Sequence, residues 1–170
     1  MIYKTHYDSP LGDILLSADD KGLTGLWFDG QKYFAYGLTE SETCEEQENS
    51  TLTEAKRWLD IYFSGKEPGF DLPISLSGTD FQKKVWGILC AIPYGKTMTY
   101  GQLAAEQGAA HMSAQAVGGA VGHNPLSIIV PCHRVVGTNG SLTGYAGGID
   151  RKIKLLALEG VDMSRFFVPK

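Results

Sequence analysis

Apolar runs broken by turn residues open the chain. Ile14-Leu15-Leu16 and Leu23 to Phe28 flank Asp19-Asp20-Lys21-Gly22, and Ser9-Pro10-Leu11-Gly12 precedes them. This pattern predicts a small antiparallel arrangement over Tyr3 to Phe28. Thr39 to Ser50 is acidic, polar and rich in Glu, and is expected to be a mobile loop. The spacing then changes. Leu52, Ala55, Trp58, Leu59, Tyr62 and Phe63 fall on one helical face, with Thr51-Leu52-Thr53-Glu54 as a capping box and Gly65 at the C-terminal stop. This helix is expected to cover the sheet. Gly65 to Ser77, with Pro68, Gly69 and Pro73, is the predicted linker, so the chain divides into 1–77 and 78–170.

The second half reads as consecutive short helices. Thr79-Asp80-Phe81-Gln82 is another capping box, and Phe81, Val85, Trp86 and Leu89 form a stripe that Ile92-Pro93 ends. Cys90, at the end of that stripe, is expected to be a small buried hydrophobe. Thr99-Tyr100-Gly101-Gln102 opens a helix closing at Gly108, and Ser113 caps another that runs to about Gly122. Such a pair predicts a helix-turn-helix. The second of these helices is almost bare. Ala114, Ala116, Gly118, Gly119, Ala120 and Gly122 carry little side chain, although a helical glycine costs about 1 kcal/mol. Either tight helix packing or close approach of a nucleic-acid groove accounts for that.

Ile128-Ile129-Val130 is a β-branched run predicted as a short buried strand, ended by Pro131. Cys132 and His133 follow, the one adjacent pair of nucleophile and base in the chain. Gly137, Asn139, Gly140 and Gly144 then make a turn-rich loop closing at Tyr145, Ala146, Gly147 and Gly148. A thiol at a strand end beneath such a loop is the layout of a small-molecule or base pocket. Neighbours on an extended strand face opposite ways, so Cys132 meets His133 only through a bend or a bridging water. Glu159 falls at the C-terminal end of a helix that Asp150 is expected to cap. A carboxylate there opposes the helix dipole, a mild hint of a non-structural role. Lys152 taken alone reads as a surface residue, and His6, His111 and His123 as surface or capping histidines without partners.

Composition narrows the classes. A chain of 170 residues buries a real core and fits one domain or two small ones. No apolar run approaches the roughly 20 residues of a membrane span, and no secretory leader opens the chain, so an intracellular, cytoplasmic protein is expected. Its three cysteines cannot all pair, which points to reduced thiols. Net charge is −4, but residues 1–78 carry six Lys/Arg against 14 Asp/Glu, and residues 79–170 carry nine against five. The asymmetry points to a local basic surface in the second half.

Pro131-Cys132-His133-Arg134-Val135 resembles the active-site signature of the O6-alkylguanine-DNA alkyltransferases, the methylated-DNA–protein-cysteine methyltransferases. The likeness extends in family order through Phe81 to Trp86, Ile92 to Gly95, Thr99 to Ala104, Ala116 to Ala120, Asn124-Pro125 and Leu155 to Gly160. It implies an α/β (α+β) fold with a small antiparallel-sheet, ribonuclease H-like domain. A mostly helical domain with a winged-helix-like helix-turn-helix would follow. It also implies a DNA repair activity in which the alkyl group of O6-alkylguanine, and of O4-alkylthymine, passes irreversibly to Cys132. In that scheme a relay runs from Glu159 through His133 and a water to the thiol, and Tyr100 places a hydroxyl at the base edge. Asn124, Val135, Tyr145, Ala146, Gly147 and Lys152 surround the flipped base. Thr99, Ser113, Ala114, Gln115, Ala116, Gly118, Gly119 and Arg134 meet double-stranded DNA through its minor groove. A monomer without cofactor or metal is expected.

The sequence departs from the family in places. Gln115 stands where the family usually has an arginine that enters the base stack, which predicts weaker DNA engagement. Ala146 stands where some members carry serine, and the cysteine and histidine cluster that binds zinc in some members is missing. Two other functions fit fewer features. One is a non-catalytic sensor of alkylguanine, which the presence of Cys132 opposes. The other is a cysteine hydrolase, which leaves the bare helix without a purpose.

Overall fold

A computed structural model describes residues 2–32, 34–35, 43–46, 49–106 and 114–169. Strands β1 (Ile2–Ser9), β2 (Gly12–Ala18) and β3 (Leu23–Phe28) form the expected antiparallel meander. Its turns are closed by side chains: the Ser9 hydroxyl accepts from Leu11 N, and Asp19 Oδ1 accepts from Lys21 N and Gly22 N. The acidic stretch predicted as a loop instead contains β4 (Thr43–Glu46), paired parallel to β1 to give the order β3-β2-β1-β4. An open strand edge is a template for any extended segment that reaches it, whatever that segment's polarity.

Helix α1 (Ser50–Phe63) buries Leu52, Ala55, Leu59 and Tyr62 and packs on β1 and β2. Its cap is Asn49, whose Oδ1 accepts from Leu52 N at 2.9 Å, and not Thr51. Asparagine is among the best N-caps, so the helix starts earlier than the Thr-x-x-Glu pattern predicts. The linker then runs back along β3, with Leu23 N donating to Pro73 O and Ser75 N to Leu23 O. Further along the same edge, Leu26 N donates to Pro125 O and Ser127 N to Leu26 O. The chain just ahead of the cysteine is thereby tied to the N-terminal sheet.

Helix α2 (Asp80–Cys90) begins with the predicted capping box between Thr79 and Gln82. Thr99 and Gln102 make the same reciprocal pair at the start of α3 (Tyr100–Glu106). Helix α4 (Ala114–Gly122) packs on α2 and α3, and Trp86 Nε1 donates to Ala120 O. The α3–α4 connection, with Gly108, His111 and the predicted cap Ser113, lies outside the described residues. Beside these helices a two-residue parallel ladder joins β5 (Met98–Thr99) and β6 (Val135–Val136), and an isolated bridge pairs Ser141 with Phe167. Cys90 is exposed, contrary to expectation: it is the last residue of α2, one position past the buried Leu89.

Helix α5 (Ile149–Leu158) starts after Gly148 at φ +94°, with Asp150 inside its first turn rather than capping it. One hydrophobic core runs from Ile14 and Phe28 through Tyr62 and Trp86 to Val117, Cys132, Tyr145 and Leu155. The site is built into this core.

Candidate active site

The residues ahead of Cys132 do not form the predicted strand. Ile128 adopts φ +72°, a conformation that costs a β-branched residue on the order of 1–3 kcal/mol. The bonds around it hold it there. Ile129 N donates to Ser127 O, Val130 N to Leu126 O and Cys132 N to Val130 O. Asn124, just past α4, clamps the same turn: its Nδ2 donates to Val130 O at 2.7 Å and its Oδ1 accepts from Leu126 N at 2.9 Å. After Pro131, Cys132–Arg134 form one 3-10 turn. Successive side chains of such a turn point in three directions, so the expected opposition of strand neighbours is replaced by a bend.

All three side chains are buried, His133 completely. Glu159, the C-cap of α5, is also buried and collects the turn's donors. It accepts from His133 Nε2 at 2.6 Å, from Arg134 Nε and Nη2 at 2.8 and 3.1 Å, from Tyr62 OH at 2.6 Å and from Gly95 N at 3.1 Å. Burial pushes this carboxyl upward, but the His133 and Arg134 bonds and charges outweigh it and hold it at about 2. Burial lowers the His133 pKa more than Glu159 raises it, so the imidazole is neutral at pH 7. An ionised Glu159 can only accept, so Nε2 carries the hydrogen and Nδ1 keeps its lone pair. That Nδ1 is buried and hydrogen-bonds to no protein group.

Burial raises the Cys132 thiol, opposed by the Asn124 side chain and the Lys152 charge, so the resting sulfur is protonated. Lys152 is no surface residue. It is fully buried, donates to Val135 O at 2.6 Å and Thr143 O at 3.1 Å, and is lowered to about 8 by burial against the pull of Cys132. The Tyr100 hydroxyl is raised to about 12 by burial and by Cys132. It stands beside Gly144, where an added Cβ would lie 3.3 Å from it.

A cavity of about 410 Å³ opens between α4 and the glycine loop. Gln115, Gly118, Gly119 and Gly122 line one side, and Gly144, Tyr145 and Ala146 the other. Tyr145 lines the cavity and stands edge-on to His133 at 6.4 Å, which links the cavity to the relay. At Gly147 an added Cβ would approach the Tyr145 ring to 2.7 Å, so glycine lets the loop close on that ring. Lys32 reaches the cavity from the N-terminal half, its N–H bonded to Ala146 O. The glycines of α4 have open space: a Cβ at Gly118, Gly119 or Gly122 would meet nothing within 4 Å outside the helix's own neighbouring backbone. Tight helix packing is therefore not why this helix is bare.

Several expectations need correction. Arg134 does not face outward toward DNA. Its Nη1 donates to Ile92 O, and its other nitrogens hold Glu159 inside the protein. Thr99 uses its hydroxyl to cap α3, and Val135 is buried with its carbonyl on Lys152. His6 pairs with Asp13, and His123 Nδ1 contacts Gly119 O, so neither lacks a partner. Gln115 and Gly119 are exposed and Ala116 and Gly118 half-buried on α4, while Ser113 and the Ala114 side chain lie outside the described residues. Tyr62 and Gly95, which the sequence does not mark as site residues, also donate to Glu159. Tyr62 sits on an apolar helical stripe and looks like core, and no local signal ties it to a carboxylate 97 residues away.

Two family models match the chain. The 6-O-methylguanine DNA methyltransferase, ribonuclease-like domain, matches residues 2–76, and the DNA binding domain of the same family matches residues 80–161. The methylated-DNA–protein-cysteine methyltransferase of Methanosarcina acetivorans is 45% identical over 163 residues, covering 94% of this chain and 99% of that protein. The crystal structure of the Mycobacterium tuberculosis O6-methylguanine methyltransferase superposes with a TM-score of 0.80 at 43% identity, covering 99% of this chain and 97% of that one. A second M. tuberculosis structure of this kind, in complex with DNA, superposes with a TM-score of 0.79 at 42% identity, covering 96% and 94%.

Proposed function

Because the chain belongs to the 6-O-methylguanine DNA methyltransferase family, we propose that it repairs DNA by moving the alkyl group of O6-alkylguanine, and of O4-alkylthymine, onto Cys132. The observation that carries this reading is the buried trio: a protonated thiol, a neutral imidazole with Nδ1 open, and an ionised carboxylate fixing the other ring nitrogen. Nδ1 takes the thiol proton through one bridging water as the sulfur attacks the alkyl carbon. The S–C bond forms as the C–O6 bond breaks, and the electron pair leaves with the guanine, which the Tyr100 hydroxyl stabilises by donation. Glu159 balances the imidazolium left behind. A thioether has no route back to a thiol here, so each chain acts once.

Residues 78–170 carry this chemistry, and 1–77 form the sheet domain behind it. The bare face of α4 enters the minor groove of double-stranded DNA, with Gln115 at the gap left by the flipped base. The base sits in the cavity under Tyr145, Ala146 and Gly147, with Asn124, Val135 and Lys152 fixing the walls. The protein works as a monomer in the cytoplasm, without cofactor or metal. Among the described residues no helix is long and apolar enough to cross a membrane.

The test is mass spectrometry after incubation with excess duplex carrying O6-methylguanine. One methylene's mass on Cys132, no more than one per chain, and loss of repair in Cys132→Ala are expected. Binding without a mass gain would indicate a damage sensor, and a count well above one per chain would end the single-transfer scheme.

A further inference from the structure

Glu159 is held from two sides. Arg134 and Gly95, from the second half of the chain, supply three of its donors. The Tyr62 hydroxyl supplies another from α1, in the first half. It lands on Oε2, the same oxygen that His133 Nε2 contacts, and both distances are 2.6 Å. Tyr62 is fully buried, and its ring is locked by neighbours: parallel to Trp58 at 5.4 Å and edge-on to Phe63 at 5.4 Å and Tyr94 at 6.1 Å. A side chain wanted only for packing would leave a buried hydroxyl to be satisfied, and phenylalanine would fill the same space without that demand.

We propose that Tyr62 is a positioning residue of the relay, through which the N-terminal half fixes the carboxylate that orients His133. The inference rests on the transfer reading above. Three donors share Oε2, with Arg134 Nη2 at 3.1 Å beside Tyr62 and His133, and together they set where it points and how much negative charge it offers the imidazole. With Tyr62 donating, Oε2 is anchored against α1 and the ring of His133 is aimed by a fixed partner. Without it, Oε2 is shared between Arg134 Nη2 and His133 alone, and more of its charge faces the imidazole. The other charged and titratable groups around the pair are Arg134, Lys152, Cys132, Tyr94 and Tyr145, and the substitution leaves all of them in place.

The test is the single-turnover alkylation rate of Tyr62→Phe as a function of pH, beside Phe63→Leu, which disturbs the same ring cluster without touching the hydroxyl. Tyr62→Phe should slow transfer roughly tenfold, the scale of one hydrogen bond to a charged group. Its acid limb should move to higher pH, because the less-shared carboxylate favours the imidazolium and the neutral base form then requires a higher pH. Phe63→Leu should lower Tm and leave the acid limb in place. A Tyr62→Phe protein with the wild-type rate and limb overturns the proposal, as does Phe63→Leu moving the limb equally. A wild-type chain that accepts no methyl overturns the transfer reading first, and this proposal with it.

Discussion

Replacing Glu159 with glutamine keeps the shape of the side chain and removes its charge. The wild-type carboxylate accepts five hydrogen bonds, two of them from Arg134, which has no other carboxylate partner among its hydrogen bonds. Deleting one member of a buried ion pair costs about 3–5 kcal/mol, because the remaining charge stays buried. A second route gives a similar figure. A carboxyl held at about 2 instead of its ordinary 4.5 corresponds to roughly 3 kcal/mol of stability at neutral pH. The folded value is the lower one, so this stability is full above the unfolded value and is lost as pH falls through the folded value. At the acid end a protonated Glu159 is nearly a glutamine. Urea unfolding of wild type and Glu159→Gln should therefore show a gap of about 3–5 kcal/mol near neutral pH that closes between about pH 5 and pH 2. His133 is neutral in the fold because burial lowers its pKa, so it destabilises both proteins as pH falls below 6.5. The gap is diagnostic below that range, and the slope of either protein alone is not. A neutral-pH gap under about 1 kcal/mol, or one that persists unchanged to about pH 2, would refute the assignment of Glu159 as the centre of the network.

Two further predictions concern the surface of α4. Gly119→Ala should stabilise the free protein by up to about 1 kcal/mol, since helix propensity improves and the new methyl meets open space. The same variant should bind duplex DNA more weakly by gel shift or anisotropy; unchanged binding means that this face does not touch DNA. Gln115→Arg should tighten binding and steepen the salt dependence by about one phosphate contact, with no gain in rate or affinity if the position does not enter the stack.

What could be read from the chain was local. The Thr79 capping box, the α1 stripe and Gly65 beyond α1 depend on neighbours three or four residues away, and each is where the spacing placed it. What escaped depended on distant partners. β4 exists because β1 offers an edge, and Ile128 leaves the strand conformation because Asn124 clamps the turn around it. Arg134 and Lys152 have the composition of surface residues, yet partners 25 and 17 residues away take them inside. For the site itself, the nucleophile and base were legible as an adjacent pair. The burial that sets their protonation was not, because it is a property of the whole core.

The placement of both pocket walls traces back to the N-terminal sheet. The wall that leads to Cys132 is bonded to the β3 edge at Leu26. The glycine loop is held by Lys32 N on Ala146 O and by Arg151, which donates to Gly147 O, Leu11 O and Asp29 O while its guanidinium lies 4.8 Å above the Phe28 ring. Tyr62 adds a third tether, to the carboxylate behind the base. Under the proposed single transfer the protein never has to open again to release a regenerated site, so rigidity carries no turnover penalty. What it requires is a thiol that stays protonated and unreactive until a base arrives, and a buried site locked from the far side by a second sheet supplies that. On this view the acidic first half contributes to the reaction chiefly by holding groups of the second half in place, with Lys32 also reaching the cavity. It holds Glu159 through Tyr62, and the glycine loop through Lys32 and Leu11, where the reaction needs them.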